Sequence, residues 1–451
     1  MMRLDRTSLV LTALVLAMAA RERAGASPNP RGGWMARGPS VPSAGTQQWN
    51  FTTGDFVESS PAVSPDGATV FFGGLPSKLY AVDASTGAQQ WSFTTGNWVE
   101  SNPAVSPDGA TVFVGSEVNK LYAVDAITGI KKWSFTTGGR VYSSPAVSPD
   151  GATVFVGSED YNLYAVDAST GIKKWNFTTG DEVDSSPAVS PDGATVFVGS
   201  DDYNLYAVDA STGIKKWNFT TGDRVYSRPA VSPDGATVFV GSDDYNLYAV
   251  DASTGAKKWS FTTGDPVRVR SNPAVSPDGA TVFVDTFDNA KLYAVDASTG
   301  IQKWNFTTGG RVYSSPAVSA DGATVFVGSY DHKLYAVDAS TGLQKWNFTT
   351  GESVSSSPAV SPDGATVFVG SDDGNLYAVD TGGAPALHDC TGAAPEACPL
   401  TNPSTWCCNL EVLHCVCEMR GTVDEIRQIC GAMKNGGINC DECKAAPQCR
   451  A

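Results

Sequence analysis

The sequence predicts an all-β protein: an eight-bladed β-propeller of four-stranded blades, followed by a small disulfide-rich C-terminal module. Three observations predict it. Tryptophan recurs at Trp49, Trp91, Trp133, Trp175, Trp217, Trp259, Trp304 and Trp346, so six of the seven steps are 42 residues and one is 45. Every unit repeats the same short runs, W-x-F-T-T-G, then S-x-P-A-V-S-x-D-G-A-T-V-F, then L-Y-A-V-D. All ten cysteines fall after Leu387. A fixed period near 42 with several β-rich runs inside it marks a propeller or a related β-array, and an even set of clustered cysteines marks a stapled module.

At the N-terminus, residues 1–26 read as a secretory leader. Arg3 and Arg6 supply the charged start, residues 9–19 the apolar run, and Ala17-Met18-Ala19 or Ala24-Gly25-Ala26 the small residues of a cleavage site. Eleven apolar residues fall short of the ~20 that a spanning helix needs, so the chain is read as secreted, without membrane insertion. Residues 27–44 are rich in Pro, Gly and Ser and aperiodic, which predicts a disordered lead-in.

Within one unit the pattern predicts four strands, at 141–147, 152–157, 162–167 and 173–178, each a run of β-branched and aromatic residues. Turn chemistry separates them. Ser148-Pro149-Asp150-Gly151 suits a type I turn, and Asp167-Ala168-Ser169-Thr170-Gly171 offers short side chains that bond back to the backbone, with glycine at its end. The chain starts its repeats at Gly45 and Trp49 without a preceding L-Y-A-V-D strand. It leaves them at Asp380 without a following Trp strand. The first strand therefore completes the last blade, and the ring of residues 45–380 closes with eight blades and no open sheet edge.

Charge narrows the partners. Lys and Arg total 31 against 47 Asp and Glu, a net charge of −16, which speaks against nucleic acid and against an anionic membrane surface. A protein or a glycan remains, bound by a monomeric propeller.

The segment Ala165-x-Asp167-x-x-Thr170-Gly171-x-x-x-Trp175 resembles the tryptophan-docking motif of the pyrroloquinoline quinone (PQQ) repeat, the quinoprotein-like propeller family. It occurs whole seven times, and an eighth copy is split between Ala378, Asp380 and Gly45, Trp49. The resemblance implies that the eight tryptophans wedge between adjacent blades as structural groups. Some members of that family are PQQ-dependent dehydrogenases, whose sites would hold Ca²⁺, a catalytic Asp and often a vicinal disulfide. Others, such as the bacterial outer-membrane assembly lipoprotein, keep the blades and bind no cofactor. Catalytic groups that converge on one point need blades that differ, and here the blades are nearly identical. No cysteine lies in the repeats, only three histidines exist, and no nucleophile elbow, His-Glu-x-x-His or phosphate-loop motif appears; Cys440-x-x-Cys443 and Cys415-x-Cys417 could bind zinc, but export to an oxidising compartment favours disulfides. The reading is therefore of no catalytic residue, no metal and no cofactor. PQQ with calcium belongs to the alternative, a quinoprotein dehydrogenase, and a structural extracellular component is a third class.

Comparison of the repeats locates the candidate binding face. Ser-Pro-Asp-Gly and Asp-Ala-Ser-Thr-Gly barely change, whereas the lead-ins to each first strand and the links between second and third strands do. Strand order puts those two variable sets on one face. They supply Phe56, Glu58, Trp98, Glu100, Arg140, Tyr142, Arg224, Tyr226, Arg228, Arg268, Arg270, Arg311 and Tyr313 as the candidate binding residues. Tyr and Trp would anchor a partner and Arg would orient it. Free loops also vary without any function.

Asn50, Asn176, Asn218, Asn305 and Asn347 each begin an Asn-x-Thr acceptor for N-linked glycan. After the 381–389 linker, residues 390–451 carry Cys390, Cys398, Cys407, Cys408, Cys415, Cys417, Cys430, Cys440, Cys443 and Cys449, which predict up to five bridges in an exported protein. Their order is similar to the plant eight-cysteine motif, but the six residues between Cys408 and Cys415 depart from it.

Overall fold

The computed structural model describes residues 43–74, 77–263, 268–286 and 289–382, with the backbone of two short strands before them. Those strands, Ala26–Pro28 and Trp34–Ala36, pair antiparallel. The rest of the predicted leader, the linker beyond Gly382 and the ten cysteines lie outside the described residues.

Eight four-stranded antiparallel sheets follow. Blade 3 shows the plan common to all. Its innermost strand, Ala146–Val147, pairs with Thr153–Ser158, which pairs with Asn162–Asp167, which pairs with the outermost strand, Lys173–Thr178. The inner strand is much shorter than the 141–147 expected. Pro145 has no N–H to give a ladder, so pairing begins only after it, and the preceding residues run as a lead-in with Val141 buried. The last blade is closed as expected: Gln47–Thr52 pairs with Asn375–Asp380, Trp49 opposite Ala378.

The core lies between blades rather than within them. Phe155, Leu163 and Ala165 of blade 3 pack against Val183, Val196, Val198 and Tyr206 of blade 4, and the same wedge recurs around the ring. Each docking tryptophan follows a β-bulge, as between Ala165 and Val166 opposite Trp175. The bulge turns the indole toward the next blade, where its Nε1–H donates to a turn carbonyl. Trp175 reaches Ala210 at 3.1 Å, Trp49 reaches Ala84 at 2.9 Å and Trp346 reaches Thr381 at 3.2 Å. The ring lies on the next turn's glycine: a Cβ on Gly213, at φ 75°, would sit 2.7 Å from the Trp175 ring. The Thr-Gly of the repeat and its Trp are thus two halves of one contact.

Candidate functional site

The two variable link sets emerge on one face of the ring, as the strand order requires. Backbone hydrogen bonds tie them together in blades 2 to 5, 7 and 8: Glu159 N–H donates to Arg140 O at 3.1 Å and Asp201 N–H to Glu182 O at 3.0 Å. A short buried valine, such as Val141 or Val225, pins each lead-in, so the residues flanking it are held on a fixed base.

Blades 4 to 6 form a locked polar sector. Arg224 Nη1 donates to Tyr226 Oη at 2.7 Å, and Tyr226 Oη donates to Asp201 Oδ2 at 2.9 Å, with Arg224 itself 3.5 Å from that oxygen. Arg270 grips Asp243 with two hydrogen bonds, at 2.9 and 2.7 Å, and lies 4.6 Å over the Tyr226 ring. Arg268 stands 3.9 Å from the same carboxylate. These arginines are occupied by buried carboxylates, so they rigidify the face more than they reach from it. In blade 3, Arg140 donates to Tyr142 Oη at 2.8 Å. Tyr313 stands beside Tyr330, ring centres 6.4 Å apart, on the blade led by Arg311.

Blades 8, 1 and 2 form the opposite sector. Phe56 and Trp98 are 47% and 46% exposed. Between them the carboxylates crowd: burial first, then Asp372 and Asp55, raise Glu58 above its ordinary range, and burial, then Glu117 and Glu58, raise Glu100. This sector presents exposed aromatic rings beside negative charge, which the Arg140 guanidinium of blade 3 offsets only in part at Glu100.

Glu182, Asp184 and Asp201 each bring one carboxylate oxygen within 4.8 Å of the others. Burial, then Asp201 and Glu182, push Asp184 up to about 7. No contiguous motif announces this trio, because its members come from two links of one blade. The second-to-third links hold a further surprise. Tyr161, Tyr203 and Tyr245 sit at φ 70°, 72° and 75°, left-handed values that glycine takes freely and Tyr does not. Gly374 fills that place in blade 8 at φ 82°. The three rings are 38–45% exposed.

Arg228 stands apart from the other candidates: its side chain lines a cavity among the innermost strands, together with Asn102 and Ser144. The residue belongs to the Ser-x-Pro frame, which carries Ser144 and Ser186 at the same place in blades 3 and 4, and that frame lies one step inward of the lead-in. Blade 6 also departs from the repeat. Asp285 replaces the glycine that in other blades touches its neighbour's valine carbonyl, where a Cβ on Gly199 would lie 2.4 Å from Val225 O. Asp285 is fully buried, its Oδ2 has no partner among the described residues, and burial pushes its carboxyl well above the usual range.

All five acceptor asparagines are exposed on outermost strands, clear of the blade wedges. Asn176 Nδ2 donates across the sheet to Asn162 Oδ1 at 2.9 Å, as Asn218 does to Asn204 at 3.0 Å. No helix among the described residues is long and apolar enough to cross a membrane.

Comparisons with known proteins agree with this ring. BamB from Moraxella catarrhalis is 16% identical, with a TM-score of 0.61 over 74% of this chain and 99% of that one. The computationally designed Ika8 protein is 17% identical, with a TM-score of 0.62 over 73% and 97%. At these identities the likeness concerns the fold. No curated protein matches the chain. The family described as outer membrane protein assembly factor BamB matches residues 41–108, 99–191, 179–287 and 271–395, the whole ring without a break, and the chain belongs to that PQQ-repeat family.

Proposed function

We propose that this chain is an exported, monomeric, non-catalytic propeller that binds a protein partner on its variable face, with blades 1 and 2 as the docking sector. One observation carries the reading: on a framework repeated almost without change, Phe56 and Trp98 stand exposed beside the crowded carboxylates of Glu58 and Glu100. Exposed aromatic anchors are the groups that contribute most to protein interfaces. The negative surround selects a partner with basic residues around an apolar centre and speeds its approach. The family's description as an assembly factor supports a protein as the ligand rather than a glycan. The five exposed acceptor asparagines sit on the blade edges, so glycan there would leave the docking face open.

The test is partner capture from extracellular fluid, with cross-links mapped to residues, by the wild-type chain and by the Phe56→Ala, Trp98→Ala double variant. Cross-links should map to blades 1 and 2, and the double variant should bind the captured partner at least tenfold more weakly, as loss of two anchors implies. Unchanged affinity would remove this sector from the reading. Calorimetric titration with PQQ, with and without Ca²⁺, tests the non-catalytic part. Saturable uptake near one per chain would replace it with a quinoprotein dehydrogenase.

A further inference from the structure

A belt of hydrogen bonds runs around the central channel, independent of the docking face. At the middle position of each Ser-x-Pro, a backbone N–H donates to the side chain at the same position of the next blade. Ser60 bonds Asn102 at 2.6 Å, Asn102 bonds Ser144 at 2.9 Å and Ser144 bonds Ser186 at 2.9 Å. Arg228 bonds Asn272, Asn272 bonds Ser315, Ser315 bonds Ser357, and Ser357 returns to Ser60, at 2.7–3.0 Å. The link from Ser186 to blade 5 is missing, because Arg228 stands there and arginine has no acceptor atom. One blade thus breaks the belt twice over: it removes an acceptor and adds a cation.

That cation has no counterpart. The Arg228 guanidinium makes no hydrogen bond or ion pair with any described residue. Its side chain is exposed where it lines the channel, beside Asn102 and Ser144. A guanidinium with no protein partner keeps its donor fork open to an anion. Beside it lies a cavity of about 390 Å³, within the range of small-molecule sites. Its wall is apolar at Pro103, Val105, Pro145 and Val147 and polar at Asn102 and Ser144.

We propose that this cavity is a binding site for a small carboxylate with an apolar body, its carboxylate on the Arg228 fork and its body against the proline and valine wall. Guanidinium and carboxylate match in two parallel hydrogen bonds. A single negative charge fits better than a phosphate, since the chain's own charge of −16 opposes each added anion charge.

Benzoate is the probe, and benzamide, of the same shape without the charge, is the control. Calorimetric titration of the full chain should show saturable benzoate binding near one per chain, with benzamide at least tenfold weaker. Arg228→Ser should weaken benzoate at least tenfold. That variant installs the side chain Ser144 and Ser186 carry in their blades, completing the belt, so its denaturation midpoint should not fall. No saturation of the wild-type chain up to about 10 mM, equal binding of benzamide, or full benzoate affinity in folded Arg228→Ser would each overturn the assignment.

Discussion

On the constant face, Asp209 Oδ1 accepts four hydrogen bonds at 2.7–3.2 Å, from the N–H and the hydroxyl of both Ser211 and Thr212. On the variable face of the same blade, Tyr203 holds a left-handed backbone at φ 72° with its ring 45% exposed. One turn repeats because its residues are what the turn needs; the other keeps a residue that its backbone disfavours. Invariance around this ring therefore follows the needs of the turn, and departure from it marks positions where those needs do not fix the residue. Arg228 and Asp285 are departures of the same kind inside the ring.

The docking tryptophans should mark the stability end of the scale. Trp175→Ala removes an indole packed on Gly213, 5.8 Å from the Phe155 ring centre and bonded to Ala210. The indole is only partly buried, so the loss should fall near the lower end for such truncations, about 3 kcal/mol, read as a shift of the urea midpoint. A loss under about 1 kcal/mol would mean that the wedges of Phe, Leu and Val hold the blades together without it.

The constant turn should come next. Four hydrogen bonds and Lys216 at 3.6 Å hold the Asp209 carboxyl at about 2, below its ordinary 3.8. A depressed carboxyl contributes stability that is fully present above its unfolded value and is lost as pH falls through its folded value. Asp209→Ala should cost about 1 kcal/mol at neutral pH, by analogy with removal of a helix cap and allowing for the group's exposure. The difference from wild type should vanish between about pH 4 and pH 2. A difference that grows on acidification would contradict that account.

Much of this was legible in the sequence. The period, the closure through Trp49 and the outer two strands of each blade follow from runs long enough to alternate, and 162–167 and 173–178 coincide with the observed strands. The inner strands did not, because burial of Val141 mimics a strand where Pro145 forbids the ladder. Among the candidate residues, sequence order placed Arg224, Tyr226 and Arg228 together, yet only the first two meet. The frame of the repeat held the missing signal: Arg228 aligns with the serines of the belt. Contacts between different links, such as Arg270 with Asp243 or the trio of Glu182, Asp184 and Asp201, leave no contiguous trace.

The smallest effect sharpens the contrast most. Tyr203→Gly puts into blade 4 the residue that blade 8 uses at the same turn, Gly374. Relief of the left-handed backbone favours the variant by about 1 kcal/mol, and glycine's greater freedom in the unfolded chain offsets much of it. The urea midpoint should therefore stay within about 0.5 kcal/mol of wild type, in contrast to Asp209→Ala only six residues away. A loss above about 1 kcal/mol would mean that the ring packs as part of the fold. The tyrosine would then need no function to explain it, and the variable face would differ from the constant one in sequence alone.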